Sequence, residues 1–114
     1  VFGDWSSDVC SSDLFIDHLM AFRRDGFALR NRVAGALAVG GVRNGGQELA
    51  LEGVQAGLMC QEMLIVGDGR PTAHTGATLW NKDDSILHDD FGVETARNLG
   101  RRVAEVALML QRGA

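Results

Sequence analysis

The sequence predicts an α/β fold, the C-terminal part of a doubly wound parallel sheet, and three observations carry this prediction. Two short runs, residues 33–39 (VAGALAV) and 63–66 (MLIV), are apolar on both faces and end at glycines, as strands covered by helices do. A helical pattern lies between them, and a long amphipathic pattern closes the chain. The order helix, strand, helix, strand, helix is typical of right-handed α/β crossovers.

The helix before the first strand is predicted over residues 15–22, where apolar residues recur at helical spacing. Arg23 and Arg24 follow in its last turn, where positive charge is favoured, and Gly26 stops it. The alanines and glycine of residues 33–39 would also suit a buried helix. A run this short that ends in a glycine pair favours a strand.

A second helix is predicted over residues 47–61, with one apolar stripe and one stripe of small residues. Residues 68–90 show no long period and are predicted to form a loop with a brief strand at 77–80. The final helix is expected to begin after Asp89 and Asp90, because negative charge is favoured at a helix N-terminus.

The first fourteen residues are set apart from this fold. Residues 1–14 (VFGDWSSDVCSSDL) are rich in Ser and Asp and have no periodic apolar face. Residues 4–14 resemble, position for position, the translated frame of a short-read library adapter, and we interpret them as a technical segment. The alternative is a genuine Ser/Asp-rich loop. On the first interpretation, residues 15–114 are the C-terminal portion of a longer domain.

The charge balance argues against a nucleic-acid surface. The 114 residues carry 11 Lys and Arg against 15 Asp and Glu, a net charge of -4, and phosphate binding needs clustered basic residues. No apolar run has the length of a membrane span, and no signal peptide is evident. Cys60 is the only cysteine after residue 14, and we expect it to be buried and inert. A cytoplasmic protein is predicted, since a lone thiol forms no intramolecular disulfide.

A glycine-rich loop, VGGVRNGGQE (residues 39–48), follows the first apolar run and opens the second helix. Such a loop brings backbone N–H groups and a helix N-terminus to the sheet edge at which α/β proteins bind ligands. It is not a nucleoside-triphosphate loop, because Gly46 and Gln47 stand where Lys and a hydroxyl residue are required. It does not match the dinucleotide fingerprint either. A glycine-rich loop can also serve only a tight turn.

The loop and its surroundings resemble the flavodoxin-like NAD(P)H-dependent FMN reductases, in particular the branch that contains the iron–sulfur flavoproteins. GG-x-R-x-GGQE is the specific part of the resemblance. FID at residues 15–17, HTGA at 74–77 and LGRRV at 99–103 are similar to other parts of the family in the same order. The resemblance therefore covers residues 15–111.

The resemblance implies a parallel sheet in the strand order 2-1-3-4-5, with residues 33–39 as the fourth strand. It also implies FMN as cofactor, over the C-terminal ends of the strands. The implied cofactor-binding residues are Gly40, Gly41, Val42, Arg43, Asn44, Gly45 and His74.

Four side chains in or near the loop have expected roles. Arg43 would place positive charge near the N1–C2–O2 edge of the flavin, or it would be a solvated loop residue. His74 would hydrogen-bond the flavin or simply lie in a turn. Gln47 and Glu48 are expected to cap the second helix.

The activity that the resemblance implies is FMN-dependent NAD(P)H oxidation. Hydride would pass from the nicotinamide to the flavin, and electrons would pass on to a quinone, a free flavin or an iron–sulfur centre. This chemistry needs no protein acid or base, so no catalytic residue is assigned. The family's phosphate-binding loop and the cysteines of an iron–sulfur cluster have no counterpart in this sequence.

Relatives of this kind pair or form tetramers, so a homodimer or homotetramer is implied, with Leu79 and Trp80 as a candidate contact surface. The alternative function is a non-enzymatic flavodoxin-like electron carrier or assembly module.

A second candidate site consists of metal-ligand residue types, but its spacing matches no Zn or Ca motif. A solvated loop ending in a helix cap is favoured for these residues, Asp83, Asp84, His88, Asp89 and Asp90.

Overall fold

A computed structural model describes residues 14–113 of the chain, and residues 1–13, which hold most of the adapter-like segment, lie outside this range. After a helical stretch at residues 14–18, the elements are α1 (Met20–Arg24), β1 (Val33–Ala34), β2 (Leu37–Gly40), α2 (Gln47–Met59), β3 (Leu64–Ile65), β4 (Ala77–Trp80), a 3-10 turn (Ile86–His88) and α3 (Asp90–Gly113). The predicted order of helices and strands is confirmed.

The strands pair in parallel. β1 pairs with β3, and β2 pairs with β4 in the register that joins Leu37 to Ala77 and Gly40 to Trp80. The α/β class is therefore confirmed, and the arrangement is consistent with part of a flavodoxin-like fold.

β3 and β4 lie along the same edge of the segment 32–40. Carbonyl groups of even-numbered residues accept hydrogen bonds of 2.8–3.0 Å from N–H groups of β3, β4 and the residues that flank them. In a parallel pair, alternate residues point their N–H and C=O groups to the same side. The shared edge is thus formed by Arg32, Ala34, Ala36 and Gly40. The opposite edge carries no further strand within residues 14–113.

The predicted strand over residues 33–39 is interrupted at Gly35 and Ala36, which was not anticipated. A Cβ atom on Gly35 would lie 2.6 Å from Cδ1 of Leu99 and 3.2 Å from Cγ2 of Val103. The chain is therefore in close contact with α3 where the strand breaks. The partner strand is interrupted as well, because residues 66–76 separate β3 from β4.

The core lies between β4 and α3. Ala77 and Leu79 of β4 are buried with Leu99 of α3, and Val93, Ala96 and Val103 pack around them. Leu51 of α2 is fully buried, and a Cβ atom on Gly76 would lie 3.1 Å from its Cδ1 and 2.6 Å from the Ala36 carbonyl oxygen. The two helices thus pack against β2 and β4, and the glycine-rich loop follows the C-terminal end of β2.

Two expectations about burial are wrong. Leu37 and Val39 are 53% and 51% exposed, so β2 is not covered on both faces by residues 14–113. Cys60, which was expected to be buried, is exposed at the end of α2.

Among the described residues, no helix combines the length and the hydropathy needed to cross a bilayer.

Candidate functional site

The glycine-rich loop, residues 39–48, is held in shape by the side chain of Gln47. This side chain is 4% exposed. Its Oε1 accepts a hydrogen bond of 2.8 Å from the Gly45 N–H. Its Nε2 donates to the carbonyls of Val42 at 2.7 Å and Leu79 at 3.1 Å. Gln47 therefore organises the loop and ties it to β4, which is more than the helix cap that the sequence predicted.

Three of the loop's glycines are required by the loop itself. A Cβ on Gly40 would lie 2.4 Å from Nε2 of Gln47, and one on Gly45 would lie 2.9 Å from the Val42 carbonyl oxygen. Gly46, the N-cap of α2, has a φ of +86° that favours glycine. Gly41 differs, because a Cβ there would meet no atom within 4 Å. No contact within the described chain explains the glycine at position 41.

Arg43 joins the loop to the start of α3. Its guanidinium forms an ion pair with Asp89, and its Nη1 donates to the Thr78 carbonyl at 3.3 Å. The guanidinium carbon also lies 5.9 Å from the centroid of the Phe91 ring. The side chain of Arg43 is 35% exposed and that of Asp89 is 6% exposed. Arg43 is thus not the solvated loop residue that was one of its two predicted roles.

Asp89 lies where the loop, β4 and α3 meet. Its carboxylate accepts hydrogen bonds from the N–H groups of Trp80 at 2.8 Å and Gly92 at 3.0 Å. Burial acts to raise the pKa of Asp89, but the hydrogen bonds from Gly92, Trp80 and Arg43, together with the charge of Arg43, lower this pKa below its ordinary value. Asp89 therefore remains a carboxylate at neutral pH. The predicted position of Asp89 before the last helix is confirmed. The prediction that it lies in a solvated loop is wrong, because Asp89 is buried and paired with Arg43.

A cavity of about 390 Å³, here called the interloop cavity, lies between the glycine-rich loop, residue 74 and the N-terminus of α3. It brings together three predicted site residues, Arg43, Asn44 and His74. Gly40, Gly41, Val42 and Gly45 do not line this cavity. Its other lining residues are Gly46, Gln47, Glu48, Leu49, Thr78 and Phe91.

His74 lies at the wall of the interloop cavity opposite the loop. Its ring meets the Phe91 ring edge-on, with 5.8 Å between the centroids and 80° between the planes. Its side chain is 45% exposed. The backbone N–H of His74 donates to the carboxylate of Asp68, a fully buried residue that the sequence did not single out.

Trp80 lies at the end of β4, beside the loop. Its Nε1 donates to the Gly41 carbonyl at 3.2 Å, and the Lys82 ammonium is 5.1 Å from the centroid of its ring. The proposed contact surface of Leu79 and Trp80 needs a correction, because Leu79 is 1% exposed and belongs to the core.

Within residues 14–113, no group of three His, Cys, Asp or Glu side chains is placed to hold a metal ion.

The interloop cavity combines apolar and polar lining residues. Its volume lies within the usual range for small-molecule sites, of roughly 300–1,000 Å³. Phe91 and Leu49 supply apolar surface, and Asn44, His74 and Arg43 supply polar groups. The first turn of α2 also borders it, and a helix N-terminus favours negative charge. These residues fit a flavin ring, which is flat and becomes more electron-rich on reduction.

No family model and no solved structure matches the chain. Similarity to curated proteins is clear. The chain is 48% identical over 90 residues to an iron–sulfur flavoprotein of Methanocaldococcus jannaschii, an alignment that covers 78% of this chain and 47% of that protein. It is 33% identical over 96 residues to the iron–sulfur flavoprotein of Methanosarcina thermophila, covering 84% of this chain and 47% of that protein.

A third relative, an iron–sulfur flavoprotein of Archaeoglobus fulgidus, is 35% identical over 79 residues, which covers 68% of this chain and 40% of that protein. The chain thus spans less than half the length of the relatives it matches. The resemblance of the sequence to the iron–sulfur flavoproteins is confirmed by these homologues. This chain is a homologue of the iron–sulfur flavoproteins, over a region that corresponds to less than half of their length.

Proposed function

We propose that this chain is the C-terminal portion of an FMN-dependent oxidoreductase that oxidises NAD(P)H, and that the interloop cavity takes part of the flavin ring. The observation that supports this most is the meeting of Asn44, from the glycine-rich loop, with His74 in one cavity. Sequence reasoning assigned both residues to a flavin although they are 30 positions apart. Homology to proteins named iron–sulfur flavoproteins supports the same cofactor class.

The cofactor supplies the redox chemistry when bound, accepting hydride and passing on electrons. The chain's own residues bind and orient it. Asn44 would offer an amide to the ring, and Phe91 and Leu49 would supply apolar contact. The N-terminus of α2 favours the negative charge that the ring gains on reduction.

Arg43 has a different role in this proposal from the one first expected. Its charge is compensated by Asp89, so the pair adds little net charge to the cavity. We infer that Arg43 is a positioning residue, which fixes the loop against the start of α3. Stabilisation of negative charge on the ring then falls to the α2 N-terminus and to polar groups such as those of Asn44 and His74.

An iron–sulfur cluster, if present in the intact protein, is proposed to use cysteines outside this chain. Cys60 is a single exposed thiol and makes no cluster site by itself. A cytoplasmic location and a homodimeric or homotetrameric assembly belong to the same proposal, on the basis of the family resemblance. The electron acceptor is proposed to be a quinone, a free flavin or an iron–sulfur centre.

Purification of the full-length protein tests this function. A yellow protein that releases FMN on denaturation and oxidises NADH or NADPH without added cofactor is the expected result. A flavin-loaded protein that is reduced by dithionite but not by NADH or NADPH would favour the alternative, a non-enzymatic electron carrier. A colourless protein that takes up no FMN would contradict the proposal.

A further inference from the structure

We propose that Asp68 is a positioning residue for the flavin site: it holds His74 so that Nδ1 faces the buried carboxylate and Nε2 accepts a hydrogen bond from an N–H group of the flavin ring. This inference rests on the proposed function, since it takes a flavin as the occupant of the interloop cavity. It assigns a role to a residue outside the glycine-rich loop.

Asp68 is a buried acidic residue in the loop of residues 66–76. It is completely buried, and an isolated carboxylate in such a place is costly. Its two oxygens are used by the loop: Oδ1 accepts from the His74 N–H, and Oδ2 accepts from the Thr72 hydroxyl. Asp68 thus closes the loop around the backbone of residue 74.

The backbone of His74 is held from a second side. The Asp68 N–H donates to the His74 carbonyl at 3.4 Å. A Cβ on Gly67 would lie only 2.3 Å from the same carbonyl oxygen, so the two segments are in close contact. His74 therefore has little freedom to move its backbone away from residues 67 and 68.

The loop is also anchored to α3. The Asn98 side chain donates to the Thr72 hydroxyl at 2.9 Å, and Asn98 is 5% exposed. Arg101, one turn further along α3, donates to the Arg70 carbonyl at 2.9 Å. These bonds connect Asp68 to a helix packed in the core. The position of His74 is thereby set by the rigid part of the molecule.

The imidazole ring has two distinct edges. Nδ1 lies 3.7 Å from Oδ2 of Asp68, and the ring also meets Phe91 edge-on. Which nitrogen of a neutral histidine carries the proton is set by the partner of the other nitrogen. At 3.7 Å the carboxylate is beyond hydrogen-bond distance, but its negative charge favours the tautomer with its proton on Nδ1. Nε2 is then an acceptor, and it belongs to a ring that lines the interloop cavity.

The first test is made on the unmodified full-length protein. Selective ¹⁵N labelling of histidine and NMR of the imidazole nitrogens distinguish the two tautomers. We expect the neutral form of His74, assigned by its loss in His74→Ala, to carry its proton on Nδ1. A neutral His74 protonated on Nε2 would overturn the proposal, and this reading does not depend on bound FMN.

The second test is a double-mutant cycle with FMN as the titrated ligand. We expect Asp68→Asn to weaken FMN binding about three- to tenfold, the usual effect of losing one well-placed hydrogen bond. In the His74→Ala background, Asp68→Asn is expected to have no further effect, because Asp68 acts through His74. An equal loss in both backgrounds would show a merely structural role and overturn the proposal.

Thr72→Val provides the same test if Asp68→Asn fails to fold, since it removes one hydrogen bond to the carboxylate and leaves the charge in place. Its effect on FMN affinity is also expected to vanish in the His74→Ala background. If the unmodified protein binds no FMN, the proposed function fails and the ligand role of His74 fails with it. Tight FMN binding that is unchanged by Asp68→Asn would overturn this inference alone.

Discussion

The ion pair between Arg43 and Asp89 connects the glycine-rich loop to the N-terminus of α3, across 46 positions of the sequence. Both partners make further hydrogen bonds to β4, Arg43 to the Thr78 carbonyl and Asp89 to the Trp80 N–H. The loop, the end of the sheet and the last helix therefore meet at one buried carboxylate. Disruption of this pair is expected to affect the shape of the site as much as its charge.

Arg43→Ala separates the two roles considered for this arginine. As a positioning residue, its loss leaves Asp89 buried without its cation, and we expect the unfolding free energy to fall by about 1–3 kcal/mol. The measurement is urea unfolding of the full-length protein. Arg43→Ala and Asp89→Asn are both expected to weaken FMN binding to a similar degree, because each substitution breaks the same ion pair. The opposite result would be a lower flavin reduction potential in Arg43→Ala at unchanged stability, together with unchanged FMN binding in Asp89→Asn. That result would support direct contact between Arg43 and the flavin instead.

The lowered pKa of Asp89 has a consequence for acid stability. A group whose pKa is depressed in the folded state stabilises the fold above its unfolded pKa, which is about 4 for Asp, and this stabilisation is lost as the pH falls through the lower folded value. We expect the unfolding free energy to fall below about pH 4, with a smaller fall in Asp89→Asn. Asp90→Asn, at an exposed neighbouring position, is the matched control. Identical pH profiles for all three proteins would contradict this assignment.

Gln47→Ala tests the organisation of the loop. The substitution leaves the Val42 and Leu79 carbonyls and the Gly45 N–H without their shared partner. We expect a loss of about 1–3 kcal/mol in unfolding free energy, measured by urea unfolding, together with weaker FMN binding. Glu48→Ala, an exposed change in the same helical turn, is expected to stay within about 0.5 kcal/mol. Equal effects of the two substitutions would show that Gln47 does not organise the loop.

Gly40 and Gly41 form a matched pair of neighbouring glycines. Gly40→Ala places a Cβ 2.4 Å from the Gln47 amide, which cannot move without losing its hydrogen bonds, and we expect a cost of about 1–3 kcal/mol. Gly41→Ala meets open space and is expected to leave the melting temperature nearly unchanged. It is expected to weaken FMN binding because the family resemblance implies that the flavin also passes beside Gly41, outside the lining of the interloop cavity. Thermal unfolding and FMN titration measure the two effects. Full FMN affinity in Gly41→Ala would remove Gly41 from the predicted cofactor-binding residues.

The sequence predicted the elements better than their contacts. The helices follow from local periodicity, and the strand at 77–80 was predicted only as a short interruption of a loop without a long period. The break at Gly35 depends on Leu99, and the role of Arg43 depends on Asp89. Such contacts join residues that are far apart in the chain, so no local pattern contains them. Asp68 carried no signal beyond being an acidic residue shortly after an apolar run.

Residues 15–114 expressed alone are predicted to be aggregation-prone or molten. The half-exposed Leu37 and Val39 of β2 and the edge of segment 32–40 without a further strand support this expectation. A folded domain has only about 5–15 kcal/mol of stability, and exposed apolar surface reduces it by about 25 cal/mol per Å². Calorimetry and FMN titration check the prediction. A cooperative thermal transition with stoichiometric FMN binding would contradict it.

The central claim is that a flavin ring lies in the interloop cavity. The most direct measurement is a crystal structure of the full-length protein with FMN bound. The account predicts the ring within contact distance of Asn44 and His74, with Arg43 still paired to Asp89. A ring bound away from both Asn44 and His74 would contradict it.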